Sequence, residues 1–133
     1  MEWTVAYLEK DKMVIAKISG EPTWEQSKKL CECAVALAHK KAGTRFLVDN
    51  SKMLKTLSIL QVDMLPRMLK DSGVTSKDKI ALLFDASSPL IDTHTFFRDT
   101  SVIESLNVRN FTEKKEAIAW LKSKNKSPDN KSK

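Results

Sequence analysis

Two aspartates, two histidines, two cysteines and one serine are the residues of this 133-residue chain whose types and places could do chemistry. Asp49 and Asp85 each follow a short apolar run, Phe46-Leu47-Val48 and Ile80-Ala81-Leu82-Leu83-Phe84. If both runs are parallel strands, the two carboxylates stand at carboxyl ends, where open α/β sheets hold their ligands. A pair of carboxylates in such a strand-end crevice can bind a cation or act as acid and base. No third ligand, no nucleophile beside a base and no glycine-rich phosphate loop accompanies them, so a turn or cap role competes. His94 and His39 are the only imidazoles. A catalytic dyad needs a nucleophile set against the histidine, the sequence offers none, and we expect His94 to be an exposed or rim residue. Cys31 and Cys33 lie two apart in a helical segment, about 200° apart around its axis. They can neither share a metal ion nor form a disulfide, and Cys31 reads as a small core residue. The chain therefore carries no metal set, and we expect no catalytic residue and no cofactor.

Ser58 stands at a helix start: Ser58-Ile59-Leu60-Gln61 has the form of a capping box, in which two orphan backbone donors are satisfied reciprocally. Around it lies an adaptable apolar set, Met53, Leu54, Leu57, Met64, Leu65 and Met68, with Phe96 and Phe97 further on. Methionines suit irregular partners. If the second and third helices splay, these residues line an apolar pocket or partner surface. Otherwise they are ordinary core plus a dimer face.

The elements that position these residues follow from the pattern. Trp3–Leu8 and Met13–Ile18 are rich in β-branched and aromatic types, and the short polar link between them fits a hairpin. Thr23-Trp24-Glu25-Gln26 is a second capping-box form, opening a helix with an apolar stripe through Leu30, Ala34, Leu37 and Ala38. Gly43 is expected to supply its left-handed exit. Phe46–Val48 and Ile80–Phe84 are continuous apolar runs, as strands covered on both faces are. The second helix runs from Ser58 to Gly73 across Pro66, where a kink is expected. Ser88-Pro89 is expected to cap and start the third helix, ending by Asn107. Val108–Phe111 is a strand, and Thr112 is expected to cap a last helix with Ala117, Ile118, Trp120 and Leu121 inward. The order is β-β-α-β-α-β-α-β-α, which implies an α/β fold with a mixed, mostly parallel sheet.

Hydrophobic content of 41% and charged content of 30% are those of a soluble globular protein. Its longest apolar run is far too short to span a bilayer. The first residues lack a secretory pattern, and a cytoplasmic location is expected. Of the net charge of +6, the five lysines and one aspartate from Lys122 onward supply +4, leaving +2 to residues 1–121. The basicity is thus a tail effect, and specific nucleic-acid binding is not expected. We read residues 1–122 as one domain and 123–133 as a disordered Lys-rich tail.

This order, with Gly20-Glu21-Pro22-Thr23 after the hairpin, Arg45-Phe46-Leu47-Val48-Asp49 before the capped helix, and Lys79–Phe84, Phe96-Phe97, Val108–Phe111 and Ala117–Leu121 in the carboxyl-terminal half, resembles the SpoIIAA-like group of the STAS (sulfate transporter and anti-sigma-factor antagonist) fold. The resemblance covers about residues 3–122. It implies five strands and four helices in a small, typically bacterial protein that is not an enzyme and acts through protein–protein contacts, with a homodimer among the options. In the best-known STAS proteins a serine at the start of the helix after the aspartate-ended strand is phosphorylated. Ser58 falls at that place, although the usual Asp-Ser-Ser-Gly or Asp-Ser-Thr-Gly is absent and Lys55-Thr56-Leu57-Ser58-Ile59 stands there. A phosphate there would sit at the positive end of a helix and change a partner surface by about −2 charges. The group also resembles CRAL-TRIO lipid-transfer domains, which implies a carrier or sensor of a lipid or other apolar molecule as the alternative.

Overall fold

A computed structural model describes residues 1–123. It comprises β1 (Glu2–Leu8), β2 (Met13–Gly20), α1 (Trp24–Lys40), β3 (Arg45–Met53), α2 (Ile59–Asp71), β4 (Lys79–Leu83), α3 (Ile91–Ile103), β5 (Asn107–Phe111) and α4 (Lys114–Lys122). The five strands form one sheet in chain order, β1-β2-β3-β4-β5. β1 pairs antiparallel with β2 through the hairpin, and every other neighbouring pair is parallel. Among the described residues no helix is long and apolar enough to cross a membrane. From Lys124 on, the expected tail lies outside the described residues.

Strand alternation splits the core in two. Val14, Phe46, Ile80, Leu82 and Val108 face Ala34, Val35 and Ala38 of α1 and Leu69 of α2, with Phe97 of α3 packed against them. Met13, Ile15, Leu47, Ala81 and Leu83 face the other way, against Ala117 and Leu121 of α4. Three helices therefore cover one face of the sheet and a single helix covers the other. β4 is buried at all five positions: Ile80–Leu83 as an unbroken apolar run requires, and Lys79 with its ammonium bonded at the end of α4.

Several local expectations are corrected. Thr23 caps α1 by accepting from Gln26 N at 3.2 Å, but the reciprocal bond is replaced. Gln26 Oε1 instead accepts from the Trp3 indole N–H at 2.7 Å, tying α1 to β1. The left-handed residue after α1 is Ala42, at φ 53°, and not Gly43. Gly43 packs against Tyr7, whose Cε1 would stand 3.4 Å from an added Cβ. Ser88 does not cap α3. Its hydroxyl accepts from Leu90 N at 3.0 Å within a turn, and the helix starts at Ile91 with no side-chain cap. α3 ends at Ile103, well before Asn107, because Ser105 turns left-handed at φ 66° and Asn107 already belongs to β5. Glu113, not Thr112, occupies the cap position of α4. Pro66 sits within α2, buried, with helix on both sides of it. Gly73 ends that segment at φ 111°, a conformation that L side chains rarely adopt.

Candidate functional site: a cavity under the second and third helices

Parallel strands β2, β3 and β4 end beneath α1, α2 and α3, and there the three-helix face is incompletely filled. A cavity of about 140 Å³ lies between sheet and helices. Its wall combines Ala16 and Ile18 of β2, Val48, Asn50 and Met53 of β3, Leu57, Val62 and Leu65 at and within α2, and Thr93, His94 and Phe97 of α3. The lining is mostly aliphatic.

Of the eight apolar residues singled out in the sequence, Met53, Leu57, Leu65 and Phe97 line this cavity. Met64 and Met68 line a separate open cleft of about 640 Å³ among α1, α2 and α3, with Trp24, Arg67 and Ile103. Leu54 is 70% exposed on the link before α2, and Phe96 belongs to neither wall. Helical geometry separates the group. On α2, Val62, Pro66 and Leu69 form the buried row, so Leu65 turns inward beside them and Leu60 and Met64 turn outward.

Sequence reasoning missed the polar part of the wall. His94 is buried at 4% exposure rather than placed at a rim. Its ring stacks on Phe84 with centroids 4.8 Å apart. Its Nδ1 lies 2.8 Å from Leu90 O and its Nε2 3.2 Å from Asn50 Nδ2. With both ring nitrogens engaged, His94 has no free nitrogen with which to act as a base. Burial holds its pKa below the ordinary histidine value, opposed by the bond to Leu90. Asn50 had no distinguishing signal in the sequence, since one polar residue at the end of an apolar strand resembles any turn residue. His94 was hidden by the same polarity.

Asp49 lies inside β3, not at its end, and marks where the strand parts from β4 while keeping β2. Its last β4 partner is Leu83, whereas pairing with β2 continues past a bulge to Met53. Its Oδ1 accepts from Ser51 N and from the Ser51 hydroxyl, at 3.0 and 2.6 Å. Asp85 repeats the motif beyond β4, its Oδ1 accepting from Ser87 N and the Ser87 hydroxyl, both at 3.1 Å. The Asp49 carboxylate thus braces the irregular stretch of β3 where its register with β2 shifts, and that of Asp85 organises the turn after β4. Among the described residues no group of three or more His, Cys, Asp or Glu is placed to hold a metal ion. Burial pushes the Cys31 thiol up to about 12, so that sulfur stays protonated and inert at neutral pH.

Ser58 caps α2 as a complete box: its Oγ accepts from Gln61 N and its own N–H donates to Gln61 Oε1, both at 3.2 Å. Ser58→Ala should lower the unfolding free energy by about 1 kcal/mol, read from urea denaturation, and a change near zero would mean that the box adds nothing.

A five-stranded sheet with one antiparallel edge hairpin, four helices and this element order is the SpoIIAA-like, or STAS, fold. An anti-sigma factor antagonist from Mycobacterium paratuberculosis matches it with a TM-score of 0.61 over 92% of this chain and 96% of that one, at 12% identity. The unphosphorylated form of the anti-sigma factor antagonist SpoIIAA matches with a TM-score of 0.54, 14% identity and coverage of 92% and 100%. An uncharacterized Shewanella loihica PV-4 protein of the DUF3478 family, with a SpoIIAA-like fold, matches at 0.56, with 20% identity and coverage of 90% and 92%. No protein-family model matches the chain, and no curated protein does.

Proposed function

We propose that this chain is a binding domain, not an enzyme, and that the outer surface of α2 and α3 docks a protein partner. The reading rests on where apolar surface is left uncovered. Among the described residues the exposed large hydrophobics are Leu8 and seven others. Those seven are Leu54, Ile59, Leu60 and Met64 on and before α2, and Ile91, Val102 and Ile103 on α3. Scattered exposed leucines need no explanation, but a grouping on two adjacent helices is the mark of an interaction surface. Glu104 bridges the helices by accepting from Lys70 and Arg67 at 3.3 and 3.4 Å. The Lys70 bond, and then Arg67, hold its carboxyl below the usual range. Solved neighbours of the same fold are named as antagonists of anti-sigma factors, which is a protein-binding role. The occupied ring nitrogens of His94 and the local bonds of Asp49 to Ser51 and of Asp85 to Ser87 argue against catalysis. Ser58 opens the same helix, one residue before the exposed Ile59, so a phosphate there would alter this surface.

A photo-crosslinker at Ile103, 78% exposed on α3, with sedimentation velocity to detect self-association, tests the surface. The Leu60→Asp, Met64→Asp double variant should keep the wild-type melting temperature and lose the crosslinked partner, whether a second protein or a second copy. Unchanged crosslinking in that variant would sink the assignment.

A second reading is favoured by the cavity: a small apolar molecule occupies it. The volume is close to the roughly 150 Å³ of an engineered cavity that takes benzene. That size suits a single ring or a short chain and not a whole diacyl lipid.

A further inference from the structure

The polar corner of the cavity has a fixed sense. Leu90 O can only accept, so His94 Nδ1 carries the proton that joins them. Burial keeps the ring neutral near pH 7, and Nε2 is then a bare acceptor. Asn50 must therefore turn its Nδ2–H toward Nε2. Rotating the amide would set its oxygen against the nitrogen lone pair. Asn50 Oδ1 is consequently an acceptor by construction, and it is buried with no hydrogen-bond partner. A buried carbonyl left unmatched has lost its hydration with nothing in return. Here the unmatched group belongs to a residue on the wall of an apolar cavity.

We propose that the cavity is a binding site for a molecule of one aromatic ring bearing a single hydrogen-bond donor, of which phenol is the simplest, with the donor taken by Asn50 Oδ1. The inference rests on the second reading above and adds the polarity of the ligand to it. Leu57, Leu65 and Phe97 supply contact for the ring, and Met53 adapts to its edge. A ligand that only accepts would set oxygen against oxygen. One with several polar groups would bury the remainder unmatched.

The probes are phenol and fluorobenzene, alike in size but not in donor, titrated into the full chain and followed by amide NMR shifts. Phenol is the better solvated in water, so an apolar cavity alone favours fluorobenzene. In the native chain phenol should bind at least as tightly as fluorobenzene and should shift the Asn50 side-chain amide. Asn50→Leu should lower the ratio of fluorobenzene Kd to phenol Kd about tenfold and so reverse the order. Fluorobenzene binding the more tightly to the native chain, or a ratio unchanged by Asn50→Leu, would overturn the proposed anchor while leaving an apolar cavity in place. If neither probe shifts any cavity residue at millimolar concentration, the anchor and the second reading both fall. Should Asn50→Leu not fold, the comparison of the two probes on the native chain decides alone.

Discussion

Leu47→Ala should lower the free energy of unfolding by about 3 kcal/mol, enough to cost on the order of 10 °C in melting temperature for a domain of this size. Leu47 is 1% exposed in the central strand and packs on the face covered by α4 alone. Its neighbours there, Met13, Ala81, Ala117 and Leu121, are each at most 1% exposed. With Ala81 and Ala117 already small, nothing nearby can swell to fill the space left by an isobutyl group. The opposite face already holds a cavity, so its packing has slack that this face lacks. Differential scanning calorimetry of the variant checks the figure, and a loss below about 1 kcal/mol would mean that α4 collapses readily onto the sheet.

His94→Ala should cost a similar amount, about 3 kcal/mol, because it removes a buried ring, its stacking on Phe84 and its side-chain bonds to Leu90 O and Asn50 together. His94→Phe separates the terms, keeping the stack and losing the hydrogen bonds. It also isolates a pH effect. His94 in the folded chain has a pKa below its ordinary value of 6.5. Above that value both folded and unfolded forms are neutral and the group contributes no pH dependence. As pH falls below it, the unfolded chain takes up a proton that buried His94 refuses, so the unfolded state gains stability. The loss continues until the lower folded pKa is passed. Wild type should therefore lose stability as pH falls through about 6.5, and His94→Phe should lose less over the same range. Urea midpoints for both proteins measure this directly. A constant difference between them would show that His94 does not titrate differently in the folded state.

Why the architecture could be read from sequence while half of the site could not has a plain physical basis. Unbroken apolar runs such as Ile80–Phe84 admit few interpretations in a chain of this length, and Ser58 with Gln61 is a local device that works through its own neighbours. α3 was harder. Ser88-Pro89 carries a helix-start signal, yet the Ser88 hydroxyl is satisfied inside a turn and the helix waits for Ile91. Asn50 and His94 are 44 positions apart. Each looks like surface by itself, and only the meeting of β3 with α3 makes them a buried pair. In the same way the apolar set around α2 could be named but not divided. Leu65 and Met64 are adjacent in sequence and face different cavities because one residue turns the helix by 100°.

Lys79 bears on how the molecule can be handled. Its ammonium donates to Trp120 O, Ser123 O and the Ser123 hydroxyl, at 2.9, 2.8 and 2.9 Å, and its charge stands 5.2 Å from the Trp120 ring. That clasp moors the end of α4 to the first residue of β4, at the foot of the parallel strands. Met1, by contrast, lies against Gly20, whose carbonyl accepts from Leu54 N beside the entry to α2. A resin, dye or fusion partner attached at the amino terminus would crowd the very rim to be probed, whereas one attached past Ser123 starts from the other end of the sheet. Baits for partner capture, and samples for ligand titration, are therefore best tethered by the carboxyl end.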